Sequence, residues 1–343
     1  MKAVLLKNFG GIENLEYGEF WDPVPGSEEV TVKVQACALN HLDLLVREGI
    51  PTYKITLPHV LGCDIAGEIV TLGSSVEGLK VGERVVVAPG NSCFHCDYCI
   101  KGQDNLCVRY GIIGADGGHG GYAEYVKVPL RNILPYPDDL SFEEAASFPL
   151  TFLTAWHMLM TLARLAPDQT VLILGIGSGV GIAALQICKL MGARVIATSS
   201  SEEKLERAKK MGADEILLTH PDDLVKKTIR LTEGLGVDVV FEHIGPVTFD
   251  KSVRTLKKGG VLVTCGATTG PTAELDLRYV FSRELKILGA RMGTLAELRK
   301  VAHFVGTGKL KPIVDKTFPL KEAKAAHKYL ANRNQFGKVV LIT

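Results

Sequence analysis

VLILGIGSGVGIAALQICKLMGARVIATSSSEEK, residues 171–204, is the segment from which the architecture can be read. VLIL (171–174) is a short apolar strand, residues 180–191 carry a helical pattern closed by Gly192, and RVIAT (194–198) is a second strand. The stretch 171–188 is uncharged and has the length of a membrane span, but Gly175, Gly177, Ser178, Gly179 and Gly181 punctuate it as a turn between a buried strand and a buried helix. The same rhythm continues with a helix over 202–211 stopped by Gly212, the strand EILL (215–218) and a helix over 222–232. VDVVFEHIG, VLVTCG and LKILGA supply three more strands, ending near Ala290. Six strands alternating with helices predict a parallel, doubly wound α/β sheet.

Upstream the pattern changes. The first 130 residues are β-rich, with EEVTVKVQ (28–35), AGEIVTLG (66–73) and ERVVVAP (83–89) separated by Gly and Pro, and with one short helix in LDLLVREG (42–49). Downstream come a helix over 294–305, a loop, a helix over 320–330 and the strand GKVVLI. A length of 343 residues suits two domains, and 46% hydrophobic against 22% charged residues suits a globular enzyme. The net charge of +1 gives no basic field for nucleic acid. The start MKAVLLKNFGG lacks the apolar run of a secretory signal, so a cytoplasmic protein with no membrane partner is expected.

The turn after the first strand of such a sheet is where a dinucleotide would sit. Gly175, Gly177, Ser178, Gly179, Val180 and Gly181 let the backbone approach a pyrophosphate, and the following helix presents free N–H groups. The bland alternative is a glycine-rich packing turn. At the end of the second strand an acid would accept a ribose diol; the chain has Ser199, Ser200 and Ser201, then Lys204, which suits a 2′-phosphate and favours NADP(H). Those serines would equally cap the next helix.

Of eight cysteines, Cys93, Cys96, Cys99 and Cys107 crowd together in a loop, while Cys37, Cys63, Cys188 and Cys265 are scattered. Cys-x-x-Cys-x-x-Cys followed by a fourth Cys provides four thiolates and no open position, the composition of a structural zinc site, one per chain.

These features, with LGCDIAGEIVTLGSSVEGLKVGERVVV, GGYAEYV, AASFPLTFLTAWHML and DVVFEHIG, resemble the medium-chain dehydrogenase/reductase superfamily, which includes zinc alcohol dehydrogenases and quinone oxidoreductases. The resemblance spans essentially the whole chain. It implies a GroES-like catalytic domain built from residues 1–153 and 291–343, a Rossmann domain over 154–290, hydride transfer to or from a small-molecule substrate, and a homodimer or homotetramer. By position it places Thr154 near the nicotinamide, Lys204 near the adenosine ribose, and Ile244 and Gly266 along the cofactor.

The chain departs from the alcohol dehydrogenase pattern where the catalytic zinc is held by two cysteines and a histidine. Asn40, Cys63 and Leu150 stand at those positions, and Leu42 and Leu45 replace the usual proton relay. Asn40 instead resembles the quinone oxidoreductase branch, which works without catalytic zinc. The expectation is therefore structural zinc without the standard catalytic zinc, with Asn40, helped by His41, hydrogen-bonding a developing oxyanion; His157 and Tyr53 are further candidates. An alternative gathers His41, His59, Cys63 and Asp64 around a non-standard second metal; its counterpart leaves His59 on the surface after Pro58 and the others as ordinary core and loop residues. A zinc-ribbon binding module would leave the Rossmann half idle, and a cofactor-binding zinc protein without turnover is the remaining rival.

Overall fold

A computed structural model describes residues 1–137, 139–218 and 223–343. The chain divides into two compact units: one of residues 1–150, 294–308 and 312–343, the other of 151–293 and 309–311. The architecture is α/β, with a GroES-like β-rich unit and a Rossmann unit.

In the Rossmann unit six strands lie in the order Glu215–Leu218, Arg194–Ser199, Thr170–Ile173, Val237–Glu242, Leu256–Thr264, Lys286–Gly289. Every neighbouring pair is parallel. The order reverses between Thr170–Ile173 and Val237–Glu242, which opens a crevice at their carboxyl ends. Leu172, Ile196, Val240 and Leu262 form the core with Leu224, Val253 and Leu256; each such buried side chain contributes about 1.5–3 kcal/mol. The helix expected over 222–232 runs from Leu224 to Leu231, and Asp222 lies outside the described residues. The sequence reading missed the helices Pro246–Thr255 and Leu277–Ser282, each of which lies in a connection between two of the strands.

The β-rich unit is organised around the strand Glu29–Ala38. Along one side it pairs antiparallel with Asp64–Leu72; along the other it pairs with Tyr125–Pro129 and, at its far end, with the carboxyl-terminal strand Lys338–Ile342. Ala38 is thus flanked by Asp64 and by Val340. The strand Val314–Pro319, absent from the sequence reading, extends the sheet beyond Lys338–Ile342. The helix His41–Glu48 follows and ends at Gly49, whose φ of 90° closes it. Among the described residues no helix is long and apolar enough to cross a membrane.

Candidate functional site

The pairing just described sets the first cluster. Where the central strand ends, Leu39 N–H bonds to the Val339 carbonyl, 2.8 Å, so Asn40 emerges between the start of the last strand and Asp64. Lys338 Nζ donates to Asn40 Oδ1 at 2.6 Å and to Asp64 Oδ2 at 2.9 Å. Asn40 Nδ2 donates to Asp64 Oδ2 at 2.9 Å and, more weakly, to Cys63 Sγ at 3.5 Å. The Leu150 N–H completes the carboxylate by bonding to Asp64 Oδ1 at 2.8 Å. Asp64 therefore joins two of the three positions at which the resemblance would put zinc ligands, Asn40 and Leu150, and directly follows the third, Cys63. It is fully buried, and Lys338 is only 4% exposed.

Asp43 supports this arrangement from the first turn of the helix. Its carboxylate accepts the Asn40 N–H at 2.7 Å and the Gly62 N–H at 3.1 Å. Burial pushes the carboxyl up to about 6, against the pull of those two N–H groups and of Lys338. Burial, reinforced by the Asp64 and Asp43 charges, also holds the Cys63 thiol well above its ordinary value.

Such a set does not fit a catalytic zinc. Leu150 offers only a backbone N–H, and Asp64 and the Asn40 carbonyl oxygen are engaged by an ammonium. The alternative second metal fares no better. His41 opens its helix on the exposed side, and among the described residues the cysteine quartet is the only group of three or more ligand-capable side chains within 4.8 Å. His59 is not a surface residue: it is buried 5.1 Å from the His119 ring, because the strand His59–Val60 is taken into a sheet with Lys2–Leu6.

The quartet itself is compact. Sγ separations are 3.4 Å for Cys93–Cys107, 3.6 Å for Cys96–Cys99, 3.9 Å for Cys96–Cys107 and 4.0 Å for Cys93–Cys99. A zinc–sulfur bond of about 2.3 Å gives a tetrahedron with edges of about 3.8 Å, so these side chains fit a zinc ion. Backbone N–H groups of Cys93 and Arg109 donate to Cys107 Sγ. The N–H of His95 foremost draws Cys93 down to about 5, while burial drives Cys99 up to about 12. Asp104, between the third and fourth cysteines, accepts the Leu295 N–H at 3.0 Å and ties the lobe to the helix Leu295–Gly306.

The Rossmann unit holds the second cluster. Ser178 caps the helix Gly179–Leu190, its Oγ accepting the Gly181 N–H at 3.0 Å. Gly175 has a φ of 59°, and a Cβ there would meet the His243 ring at 3.1 Å; a Cβ on Gly181 would meet the Gly175 carbonyl oxygen at 2.8 Å. The turn is thus a cradle that side chains would fill, and it fits a dinucleotide pyrophosphate. Ile244 and Gly266 follow the ends of the next two strands, where Thr269 bonds the Ile244 carbonyl. Thr154 is buried, with its hydroxyl 3.9 Å from Met292 Sδ. His157 is also buried, in a π-helical turn, whereas Tyr53 lies in a turn of the other unit.

Ser199 is buried and Ser200 exposed at the end of the strand Arg194–Ser199; Ser201 caps the helix Glu202–Lys210 through the Lys204 N–H. Capping by Ser201 is thus realised, and it leaves Ser199 and Ser200 at the strand end.

Sequence reasoning missed Lys338, Asp43, His243 and Glu242. The fully buried Glu242 accepts the Ile244 and Gly245 N–H groups and the Thr248 and Thr264 hydroxyls, which fixes the loop beside the glycine turn. The one signal for Lys338 was a lysine opening an otherwise apolar strand.

The alcohol dehydrogenase GroES-like domain family matches residues 26–138, and the zinc-binding dehydrogenase family matches residues 179–307. An alcohol dehydrogenase of Geobacillus stearothermophilus is 33% identical over 99% of both chains. An acryloyl-coenzyme A reductase of Metallosphaera sedula is 33% identical over the full length of both. The crystal structure of an NAD-dependent alcohol dehydrogenase superposes over 100% of both chains with a TM-score of 0.96 at 47% identity. With the two units, the glycine cradle and the cysteine lobe all in place, the chain belongs to the zinc-containing medium-chain dehydrogenase/reductase family and is an oxidoreductase of the alcohol dehydrogenase superfamily.

Proposed function

We propose that this enzyme transfers a hydride between NAD(P)(H) and a small molecule whose carbonyl is conjugated, an enone, quinone or α,β-unsaturated thioester, using structural zinc but no catalytic zinc. The observation that carries this reading is the engagement of Asp64 by Lys338 and by Asn40 and Leu150, two of the three positions where a catalytic zinc would be ligated. Without a Lewis acid, a simple ketone loses polarisation worth several kcal/mol, whereas a conjugated acceptor spreads the developing charge. The relative named acryloyl-coenzyme A reductase carries such a conjugated thioester in its name.

A bound nicotinamide supplies the hydride. The chain's part is to seat the pyrophosphate on Gly175 to Gly181, to position the nicotinamide near Thr154, Ile244 and Gly266, and to offer hydrogen bonds to the acceptor oxygen from the Asn40 cluster. His41 serves at its edge. Ser199, Ser200 and Lys204, with no carboxylate at the strand end, support NADP(H) over NAD(H), although several relatives are named NAD-dependent. The four cysteines hold one structural zinc per chain. Eight cysteines with no disulfide among them suit a reducing, cytoplasmic compartment, and a homodimer or homotetramer is the assembly we assign.

Purified protein incubated with NADPH or NADH against alcohols, aldehydes, enones and quinones tests the reading. NADPH oxidation is expected with enones or quinones in preference to simple ketones. Cofactor binding without turnover of any acceptor would refute it.

A further inference from the structure

The glycine turn of the Rossmann unit is rimmed by donors that meet no acceptor. Among the described residues nothing accepts the N–H of Gly179 or Val180, the first two residues of the helix Gly179–Leu190, as a helix start requires. Ser178 precedes them, half-buried, with its Oγ 3.0 Å from the Gly181 nitrogen and 3.2 Å from Nε2 of His243. The same Nε2 lies 2.9 Å from the Leu174 carbonyl oxygen, which can only accept. Nε2 therefore carries a hydrogen whatever the charge of the ring, and Ser178 Oγ is its second acceptor. Both lone pairs of the hydroxyl are then taken, one by the Gly181 N–H and one by His243. Its own hydrogen is left to the remaining direction, in which no described residue accepts it.

His243 is held in place for this. It follows the strand Val237–Glu242, which pairs with Thr170–Ile173 at the point where the strand order reverses. The Thr268 hydroxyl donates to its carbonyl at 3.0 Å, and the residue before it is the fully buried Glu242. A Cβ on Gly175 would meet the ring Cε1 at 3.1 Å, so the glycine makes room for the imidazole as well as for a ligand.

We infer that His243 is a positioning residue for the cofactor: its Nε2–H fixes the Ser178 hydroxyl so that the O–H joins the Gly179 and Val180 N–H groups in binding the diphosphate. The inference rests on the dinucleotide reading above and gives a part to a histidine that lies outside the glycine pattern. All of these residues belong to the Rossmann unit. Diphosphate oxygens only accept, so a serine free to turn its lone pairs outward would oppose them as readily as bind them. Fixing the hydroxyl beforehand removes an ordering cost from binding, and a hydrogen bond to an anionic oxygen is about twice as strong as a neutral one.

The test uses the zinc-loaded protein and a cycle of His243→Ala, Ser178→Ala and the double variant, each checked by a melting curve. Dissociation constants are read by fluorescence titration with NADPH, or with NADH should the wild type bind it more tightly. Saturation-transfer NMR reads adenosine, which has no diphosphate. Ser178→Ala is expected to weaken the dinucleotide about tenfold and His243→Ala about fivefold, with the double variant no weaker than about tenfold, because the histidine acts through the serine. Adenosine should bind every variant within about twofold of wild type, and His243→Gln, which keeps a side-chain N–H, should recover most of the dinucleotide affinity. Losses that multiply to about fiftyfold in the double variant overturn the inference. So does adenosine weakened in step with the dinucleotide, which would make His243 a general support of the fold. If His243→Ala does not fold, His243→Phe keeps a ring against Gly175 without the N–H, and unchanged dinucleotide binding there also overturns it. A wild type that binds neither NADPH nor NADH refutes the cofactor reading itself, whereas variants that match a binding wild type refute only the role of His243.

Discussion

Lys338 and Asn40 lie 298 residues apart in sequence, yet the ammonium of one bonds to the amide oxygen of the other at 2.6 Å. The contact exists because Lys338–Ile342 pairs with the end of Glu29–Ala38, on the edge opposite Asp64. An ion pair buried this fully gains from Coulomb attraction only while both partners remain, since each alone would be an uncompensated charge.

Asp64→Ala is accordingly expected to destabilise the fold by about 3–5 kcal/mol by stranding Lys338. Joint replacement of Asp64 and Lys338 by leucine should recover most of that loss. Urea denaturation of the single and double variants checks both; equal stability of Asp64→Ala and wild type would contradict the pairing.

Gly181→Val should abolish or weaken cofactor binding by more than tenfold, because its first side-chain carbon would lie 2.8 Å from the Gly175 carbonyl oxygen. The readout is NADPH fluorescence titration, with a melting curve to confirm that the chain remains folded.

Lys204→Ala should weaken NADPH about tenfold and leave NADH nearly untouched, since only the former carries a 2′-phosphate. Equal losses for the two cofactors would assign Lys204 a structural part.

Elemental analysis should find one zinc per chain. Cys99→Ser should lose the metal and lower the melting temperature by roughly 5 °C or more, as the lobe and its Asp104 bond to Leu295 loosen. Two zinc ions per chain in the wild type would contradict the reading of the Asn40 cluster.

Acid should destabilise the protein below neutrality. Burial, with His119 nearby, lowers His59 to about 4, and burial, with Arg47 nearby, lowers His327 to about 3, both from an ordinary 6.5. A depressed base stabilises the fold above pH 6.5 and forfeits that contribution as the pH falls through its folded value, for His59 a loss of roughly 3 kcal/mol. Asp43 works oppositely: its raised carboxyl favours the fold below about pH 4 and loses that contribution as the pH rises through 6. Melting curves from pH 7.5 to 4.5 should fall less steeply for His59→Gln than for wild type.

Periodicity made the Rossmann strands legible, since buried parallel strands are short apolar runs and the helices Gly179–Leu190 and Glu202–Lys210 stop just before Gly192 and Gly212; Glu215–Leu218 has the bounds read from EILL. The cysteine quartet was legible because its ligands are close in sequence. The Asn40 cluster was only half legible. Asn40, Cys63 and Leu150 were visible as departures from a pattern, but their common partner depends on long-range strand pairing, which local spacing does not encode. His59 was misplaced for the same reason: the proline before it reads as a surface turn, while a two-residue strand draws the imidazole inward.

The pairing of Lys338–Ile342 with Ala36–Ala38 also makes the central strand's charge balance a matter of topology. Asn40 and Asp64 meet their ammonium across separations of 298 and 274 residues, so the entropy of closing a very long loop is met before the carboxylate gains its counter-charge. A fragment that keeps Glu29–Ala38 and Asp64–Leu72 but lacks Lys338–Ile342 would retain the acid without the ammonium beside it.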